Sequence, residues 1–287
     1  MKVTKTNYKF FPGCLARVKL PHLEKSVRTI LETVGVGLSD EPNFTCCPDP
    51  VVFRSGSRSD WLAIAAHNLT LDGRDPIVTL CPGCASSLAE AGSILKGEGI
   101  PEEVRRTLGK SGDLHISEVM HFIRLLVDED MLVTIKSLMR RDLSALRVGV
   151  HYGCHLIRPS YAIGFDDPEK PKSLEQLVTA TGAQVVDYED KMLCCGRPAI
   201  DEQTSQAISE HKLNCLKEAA CDLVVVACPF CFEQFDLGQV IIGRKRGKTY
   251  DLPVLYVTQL IGLGMGLDTG ALGFEFHRVK PHKSLEV

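Results

Sequence analysis

No stretch of this 287-residue sequence is apolar for long enough to cross a bilayer. The nearest, LIGLGMGL at residues 260–267, is short and broken by glycine, whereas a spanning helix needs roughly 18–20 continuous apolar residues. The opening MKVTKTNYKF lacks the apolar core of a secretory signal, so a cytoplasmic protein without a transmembrane segment is expected. Charge of one sign does not accumulate either. A formal net charge of −3 gives no electrostatic reason to expect nucleic acid or an anionic membrane as partner. The basic run GRKRGK, residues 243–248, has no aromatic platform and reads as a solvated turn or a docking patch for an acidic partner. GxGxxG, P-loop and HExxH patterns are absent, which removes support for nucleotide binding and for hydrolytic zinc chemistry.

What the sequence does have is cysteine, twelve in all. A reducing cytosol disfavours structural disulfides, so this count points to metal binding or redox chemistry. Ten of the twelve fall into two sets with one grammar. Cys14 is followed after 31 residues by Cys46-Cys47 and after 33 more by Cys81-Pro-Gly-Cys84. Cys154 is followed after 39 residues by Cys194-Cys195 and after 32 more by Cys228-Pro-Phe-Cys231. Corresponding cysteines are 140 to 148 residues apart, about half the chain. Such a period indicates duplication of one folding unit.

The flanking patterns place these groups. YKFFPGC and RVGVHYGC are short apolar runs ending in Gly-Cys, which read as strands entering tight loops. DPIVTLCPGC and CDLVVVACPFC are β-branched runs halted by the CxxC, as in buried strands. Leu23, Val27, Ile30, Leu31 and Val34 recur at helical spacing, and Ser173–Ala180 does the same before a strand at AQVVDY. Ile208, His211, Leu213 and Leu216 mark another helix, and ASSLAEAGSIL a further one. The alternation predicts an α/β protein of two halves, 1–140 and 141–287, each with a parallel sheet and right-handed crossovers. The polar stretch from about Lys96 to Ser117, with the helix-like SEVMHFIRLLVDED, reads as the join. Ligands of such sheets gather at the carboxyl ends of strands, where all three cysteine groups of each half can meet.

Thiolates suit iron–sulfur clusters, zinc and copper(I). Four complete a tetrahedral zinc site or a cubane cluster. A fifth in each set favours an unusual cluster, or a cluster with one cysteine left free for chemistry. Zinc, being redox-inert, supplies no electrons.

The stretches FFPGC, TCCPDP and TLCPGC, and again VHYGC, LCCGRPA and ACPFC, resemble the two cysteine-rich CCG domains of the B-type subunit of heterodisulfide reductase. The likeness extends through HNLTL after Trp61 and the C-terminal TQLIGLGMGL. It implies Rossmann-like, pseudo-symmetric halves, each holding a noncubane [4Fe-4S] cluster on five cysteines. One set would be Cys14, Cys46, Cys47, Cys81 and Cys84, the other Cys154, Cys194, Cys195, Cys228 and Cys231. It further implies that a disulfide of the CoM-S-S-CoB type is split between the clusters, each delivering one electron and capturing one thiolate. Electrons would arrive from a ferredoxin-like C-type subunit and a flavin-containing A-type subunit. Two departures stand out: Pro48 replaces the glycine of the motif, and the gaps before each CxxC are a few residues short.

On that resemblance Cys14, Cys154, His155 and Arg197 are candidates for the chemistry itself. His151 and His155 bracket Cys154, with Arg158 following. They read as groups that tune a cluster by hydrogen bonding or hold an anionic substrate, or as simple loop caps. Arg197 suits a carboxylate or phosphate, or a structural salt bridge, and Gly196 a close backbone approach or a positive φ. Arg54 and Arg58 read as solvated, Cys215 and Cys221 as buried apolar residues, and FHRVKPHKSLEV as a tail that frays or packs on a partner. Related CCG subunits serve sulfur-oxidising, lactate- or glycolate-oxidising and quinone-reducing complexes. A zinc scaffold, or zinc in one half only, is the redox-silent alternative.

Overall fold

The computed structural model describes residues 7–71, 74–109 and 112–281. Eight short strands form two four-stranded sheets, every pairing parallel. The first contains β1 (Asn7–Phe11), β2 (Gly37–Asp40), β3 (Ile77–Thr79) and β4 (Val119–His121), in the order β2-β1-β3-β4. The second contains β5 (Arg147–His151), β6 (Gln184–Val186), β7 (Leu223–Val226) and β8 (Val254–Tyr256), in the order β6-β5-β7-β8. The two orders are the same order. From the first strand of each half the chain winds one way to the next strand, then back to the other side. This leaves a switch point at β1/β3 and another at β5/β7. The α/β, parallel-sheet and pseudo-symmetry expectations all hold.

Local composition explains the elements. β3 and β7 are buried on both faces, so Ile-Val-Thr and Leu-Val-Val-Val run without polar alternation. The crossover helix Pro21–Thr33 buries Leu23, Val27, Ile30 and Leu31, and Ser173–Ala180 buries Leu174, Leu177 and Val178. Three expectations need correction. The join is not merely a join: Val119–His121 closes the first sheet as β4, and SEVMHFIRLLVDED breaks into strand, Ile123–Leu126 and a helix restarting at the Asp128 cap. A three-residue strand is too short to show a period. GRKRGK is no isolated turn. Helix Pro229–Arg246 runs through Arg246 to a left-handed Gly247, where basic residues favour the negative helix end. The C-terminal segment neither frays nor waits for a partner up to Pro281. His277 and Val279 are buried, and Asp236 accepts from the backbone N–H groups of Arg278 and Val279. Residues 282–287 lie outside the described residues.

The halves interlock by exchange. Helix Val257–Gly264, after β8, packs on Pro21–Thr33 of the first half, and the Ser26 and Thr258 hydroxyls meet at 2.8 Å. Helix Ile123–Leu126, after β4, packs on Ser173–Ala180 of the second. At the centre the Tyr256 hydroxyl lies 2.7 Å from the Leu80 carbonyl and 2.6 Å from that of Ala227, the residues preceding the two CxxC motifs. His121 Nε2 also reaches the Leu80 carbonyl, at 2.7 Å. Tyr256 and His121 end β8 and β4, so the pseudo-dyad passes between them.

Candidate metal centre

Each cysteine group follows the carboxyl end of a strand. Cys14 opens the short helix after β1, Cys46 and Cys47 lie in the loop after β2, and Cys81 caps the helix after β3. The second half repeats this with Cys154 after β5, Cys194 and Cys195 after β6, and Cys228 after β7. The CPxC spacing has a local cause. Pro82 and Pro229 stand in the first helical turn, where a missing N–H costs nothing. Cys81 and Cys228 therefore become N-caps, with Cys84 and Cys231 one turn inside. All four sulfurs sit at positive helix ends that favour thiolates.

The paired cysteines are held by their backbones. Asn68 donates to the Cys46 carbonyl at 2.9 Å and accepts from the Thr45 N–H at 2.8 Å. The Ser87 hydroxyl donates to the carbonyl of Pro48, so the departing proline is built into the loop. In the second half Ser209 donates to the Cys195 carbonyl at 2.7 Å, backed by Gln234 at 2.7 Å. Gly196 has φ +93°, the positive value expected for it. Gly13 and Gly153 also have positive φ, and a Cβ there would stand 3.0 Å from Cys84 Sγ and 3.3 Å from Cys231 Sγ. Side chains would intrude on the thiols.

One cavity, of about 280 Å³, is lined by all ten repeat cysteines together with His155 and Arg197. A wider cleft of about 530 Å³ beside Arg74, Lys96, Arg105 and His115 includes no cysteine in its lining. A chain of electrostatically interacting thiols runs from Cys46 through Cys47, Cys84 and Cys81 across the dyad to Cys228, Cys231, Cys195, Cys194 and Cys154. Protons are shared unequally along this chain. Hydrogen bonds with Cys46 and Cys84 hold Cys47 down to about 5, against its burial. Hydrogen bonds with Cys154 and Cys195 hold Cys194 down to about 2. Cys46 and Cys154 are pushed up, first by the hydrogen bond each shares with its lowered neighbour. Crowded thiols cannot all ionise beside one another, and metal cations would replace the protons. Five soft donors per half, with space kept clear by glycine, fit such a group.

The other candidates divide. Arg197 faces the cavity but pairs with Glu233 at 3.0 Å, and Glu233 also takes Lys19 of the first half at 3.3 Å. Arg158 turns away to the Pro168 carbonyl. Arg54 and Arg58 are ion-paired rather than free, with Glu90 at 2.6 Å and Glu98 at 3.3 Å. Cys215 is buried beside His211, and Cys221 is half-buried; neither lines the cavity. Two further groups surround the second set. His151 is buried with a ring nitrogen within 4.8 Å of the Cys195 and Cys231 sulfurs. Lys212, wholly buried, donates to the Asp190 carbonyl; burial lowers it to about 8, against the opposing pull of Cys215, then Asp190, Cys195 and Cys231. Lys212 escaped the sequence reading, although it lies on the helix stripe of Leu213 and Leu216. The expected members of that stripe, Ile208 and His211, are instead half-buried and exposed.

Comparison with known proteins agrees with this geometry. The cysteine-rich domain model CCG matches residues 8–89 and 148–236. The chain is 38% identical to the B-type subunit of the ferredoxin:CoB-CoM heterodisulfide reductase of Methanosarcina mazei, covering 94% of this chain and 93% of that one. It is 39% identical, with the same coverage, to the B-type subunit of the ferredoxin/F(420)H(2)-dependent CoB-CoM heterodisulfide reductase of Methanosarcina acetivorans. The 8-methylmenaquinol:fumarate reductase membrane anchor subunit of Wolinella succinogenes is 29% identical over 96% of this chain and 98% of its own. A hypothetical protein from Helicobacter pylori shares the fold, with a TM-score of 0.73 at 16% identity over 97% of this chain and 53% of that one. Duplicated CCG motifs, paired parallel sheets and near full-length identity place this chain in the family of B-type heterodisulfide reductase subunits, which are iron–sulfur oxidoreductase subunits.

Proposed function

We propose that this chain is the catalytic iron–sulfur subunit of a heterodisulfide reductase complex, reducing a disulfide of the CoM-S-S-CoB type to two thiols. One observation carries this reading: both cysteine sets open onto one cavity, so a disulfide held there faces both at once. Residues 1–140 would hold one noncubane [4Fe-4S] cluster on Cys14, Cys46, Cys47, Cys81 and Cys84. Residues 141–287 would hold the other on Cys154, Cys194, Cys195, Cys228 and Cys231. When bound, the clusters supply two electrons, one each, and two protons complete the thiols.

The chain's own residues do the rest. Cys14 and Cys46 in the first set and Cys154 in the second are exposed, while Cys47, Cys81, Cys84, Cys195 and Cys231 are buried. Of these, Cys14 and Cys154 are the corresponding pair and are assigned to the substrate side. His155, half-buried at the cavity wall, is placed to donate a proton to a departing thiolate. Arg197, fixed by Glu233, offers its free edge to an anionic substrate group. Among the described residues no helix is long and apolar enough to cross a membrane, which supports a cytoplasmic subunit. The exposed Val51, Val52, Ile200 and Phe230, beside the cysteine loops, support docking of a ferredoxin-like C-type subunit fed by a flavin-containing A-type subunit.

The test is iron, acid-labile sulfide and zinc per chain on anaerobically purified protein, with EPR after adding a thiol such as coenzyme M to the oxidised state. About eight irons and eight sulfides with a thiol-dependent signal are expected. Zinc without iron overturns the proposal. The Wolinella relative favours a second reading, a quinone-linked complex. A menaquinol analogue that reduces the loaded protein while disulfides fail to oxidise it would establish that reading instead.

A further inference from the structure

The ten cysteines obey a two-fold pattern that their surroundings break. His151 is the last residue of β5, three before Cys154; Phe11 is the last residue of β1, three before Cys14. Phe11 packs its ring edge-on to Phe44, with centroids 4.9 Å apart. His151 is held edge-on to Phe235, also at 4.9 Å. It is 1% exposed, and neither ring nitrogen has a hydrogen-bond partner. A neutral imidazole carries one N–H and one lone pair, and a buried N–H without an acceptor is rare. The polar atoms near it include the sulfurs of Cys195 and Cys231, which lie with a ring nitrogen within 4.8 Å of one another; Lys212 and Cys194 also act on it. A second difference has the same sign. Lys212 occupies the helix position that corresponds, at the 147-residue offset of the CxxC motifs, to Ala65. A buried ammonium thus stands where the first half has a methyl group.

We infer that His151 donates a hydrogen bond to the sulfur-rich group held by the second cysteine set and, with Lys212, raises its reduction potential above that of the group in the first set. Reduction adds negative charge to an iron–sulfur centre. A hydrogen-bond donor or a cation therefore stabilises the reduced form more than the oxidised form, and both are recognised determinants of potential. At the two corresponding positions the first half has neither, since Phe11 and Ala65 offer no N–H and no charge; its own buried histidine, His121, is turned to the Leu80 carbonyl. The two groups share a ligand grammar and differ in the energy at which each accepts an electron. The inference rests on the two-cluster reading above and deepens it.

The experiment is an EPR-monitored redox titration of the iron-loaded protein, its Cys195→Ser variant identifying the second group's signal. Two substitutions probe the histidine: His151→Phe, which copies the first half, and His151→Gln, which keeps an N–H. In His151→Phe the second group's reduced-to-oxidised ratio at a fixed potential should fall about tenfold, equivalent to about 59 mV for a one-electron couple. The first group should not move, and His151→Gln should recover part of the shift. Phe11→His, made in the other half, should move the first group upward and carries the test if His151→Phe does not retain iron. Two loaded groups with unchanged potentials in both halves overturn the inference while leaving two clusters in place. Zinc or absent iron in the wild-type second set overturns the two-cluster reading itself.

Discussion

The two halves of this protein have the same strand order, the same cysteine grammar and the same exchange of a final helix, yet they are furnished differently. Around the first cysteine set Phe11, Ala65 and Leu88 pack with the polar Asn68 and Ser87. Around the second, Ser209 and Gln234 are joined by the buried His151 and Lys212. Ligands that bind a metal group are held to their positions by its geometry. Residues one layer out are free to diverge, because they change the energy of the group rather than its binding. On the reading proposed above, duplication yields a matched pair of sites, and divergence behind the cysteines sets the two apart in energy.

The largest test of this comparison removes one ligand from either half. Cys47→Ser and Cys195→Ser should each lower iron from about eight to about four per chain and abolish disulfide reduction, since each half holds its own donors. Iron analysis decides it: loss of all iron from either variant would mean the halves do not load independently.

Next in size is the backbone behind the second cysteine pair. A Cβ at Gly196 would stand 2.5 Å from the Ser205 carbonyl, at φ +93°. Gly196→Ala should therefore cost about 3 kcal/mol. Gly35→Ala in the first half, at φ +86° with nothing within 4 Å, should cost about 1 kcal/mol. Chemical denaturation of the two variants measures the difference.

The seam should weaken in acid. Burial lowers His22 to about 4 and His277 to about 3, and Gln259 donates to His277 Nε2, which must then be unprotonated. Both folded values lie below the ordinary 6.5, so between that value and about 4 the unfolded chain binds more protons. The stabilisation is complete above pH 6.5 and is lost as pH falls toward 4, by at most about 1.4 kcal/mol per pH unit for each histidine. Denaturation midpoints at pH 7.5 and 5.5 should show it. His277→Gln should flatten the dependence.

Smallest is the ion pair at the cavity mouth. Arg197→Ala should change stability by less than about 1 kcal/mol, because the pair is partly exposed. It should raise KM for an anionic disulfide more than it lowers kcat. An unchanged KM would show that Arg197 serves only the Glu233 bridge.

Much of this could be read in the chain itself. β3 and β7 are legible because strands covered on both faces become unbroken β-branched runs, and the cysteines that stop them mark where those strands end. β4 and β8 are hidden in the sequence, since the helices after them dominate the pattern. Lys212 was passed over because a lysine reads as solvent-facing. Only the fold shows its helix turning that face inward.

The sequence by itself determined the duplication, the parallel α/β class and the ten thiols, because spacing and β-branched composition act locally and repeat. The tertiary structure alone decided that both sets share one cavity, that Tyr256 ties Leu80 to Ala227 across the dyad, and that His151 stands unpartnered beside Cys195 and Cys231. The contact between Tyr256 and Leu80 alone joins residues 176 positions apart. Such relations arise when two sheets and their exchanged helices bury a common core, a cooperative outcome that no local pattern records.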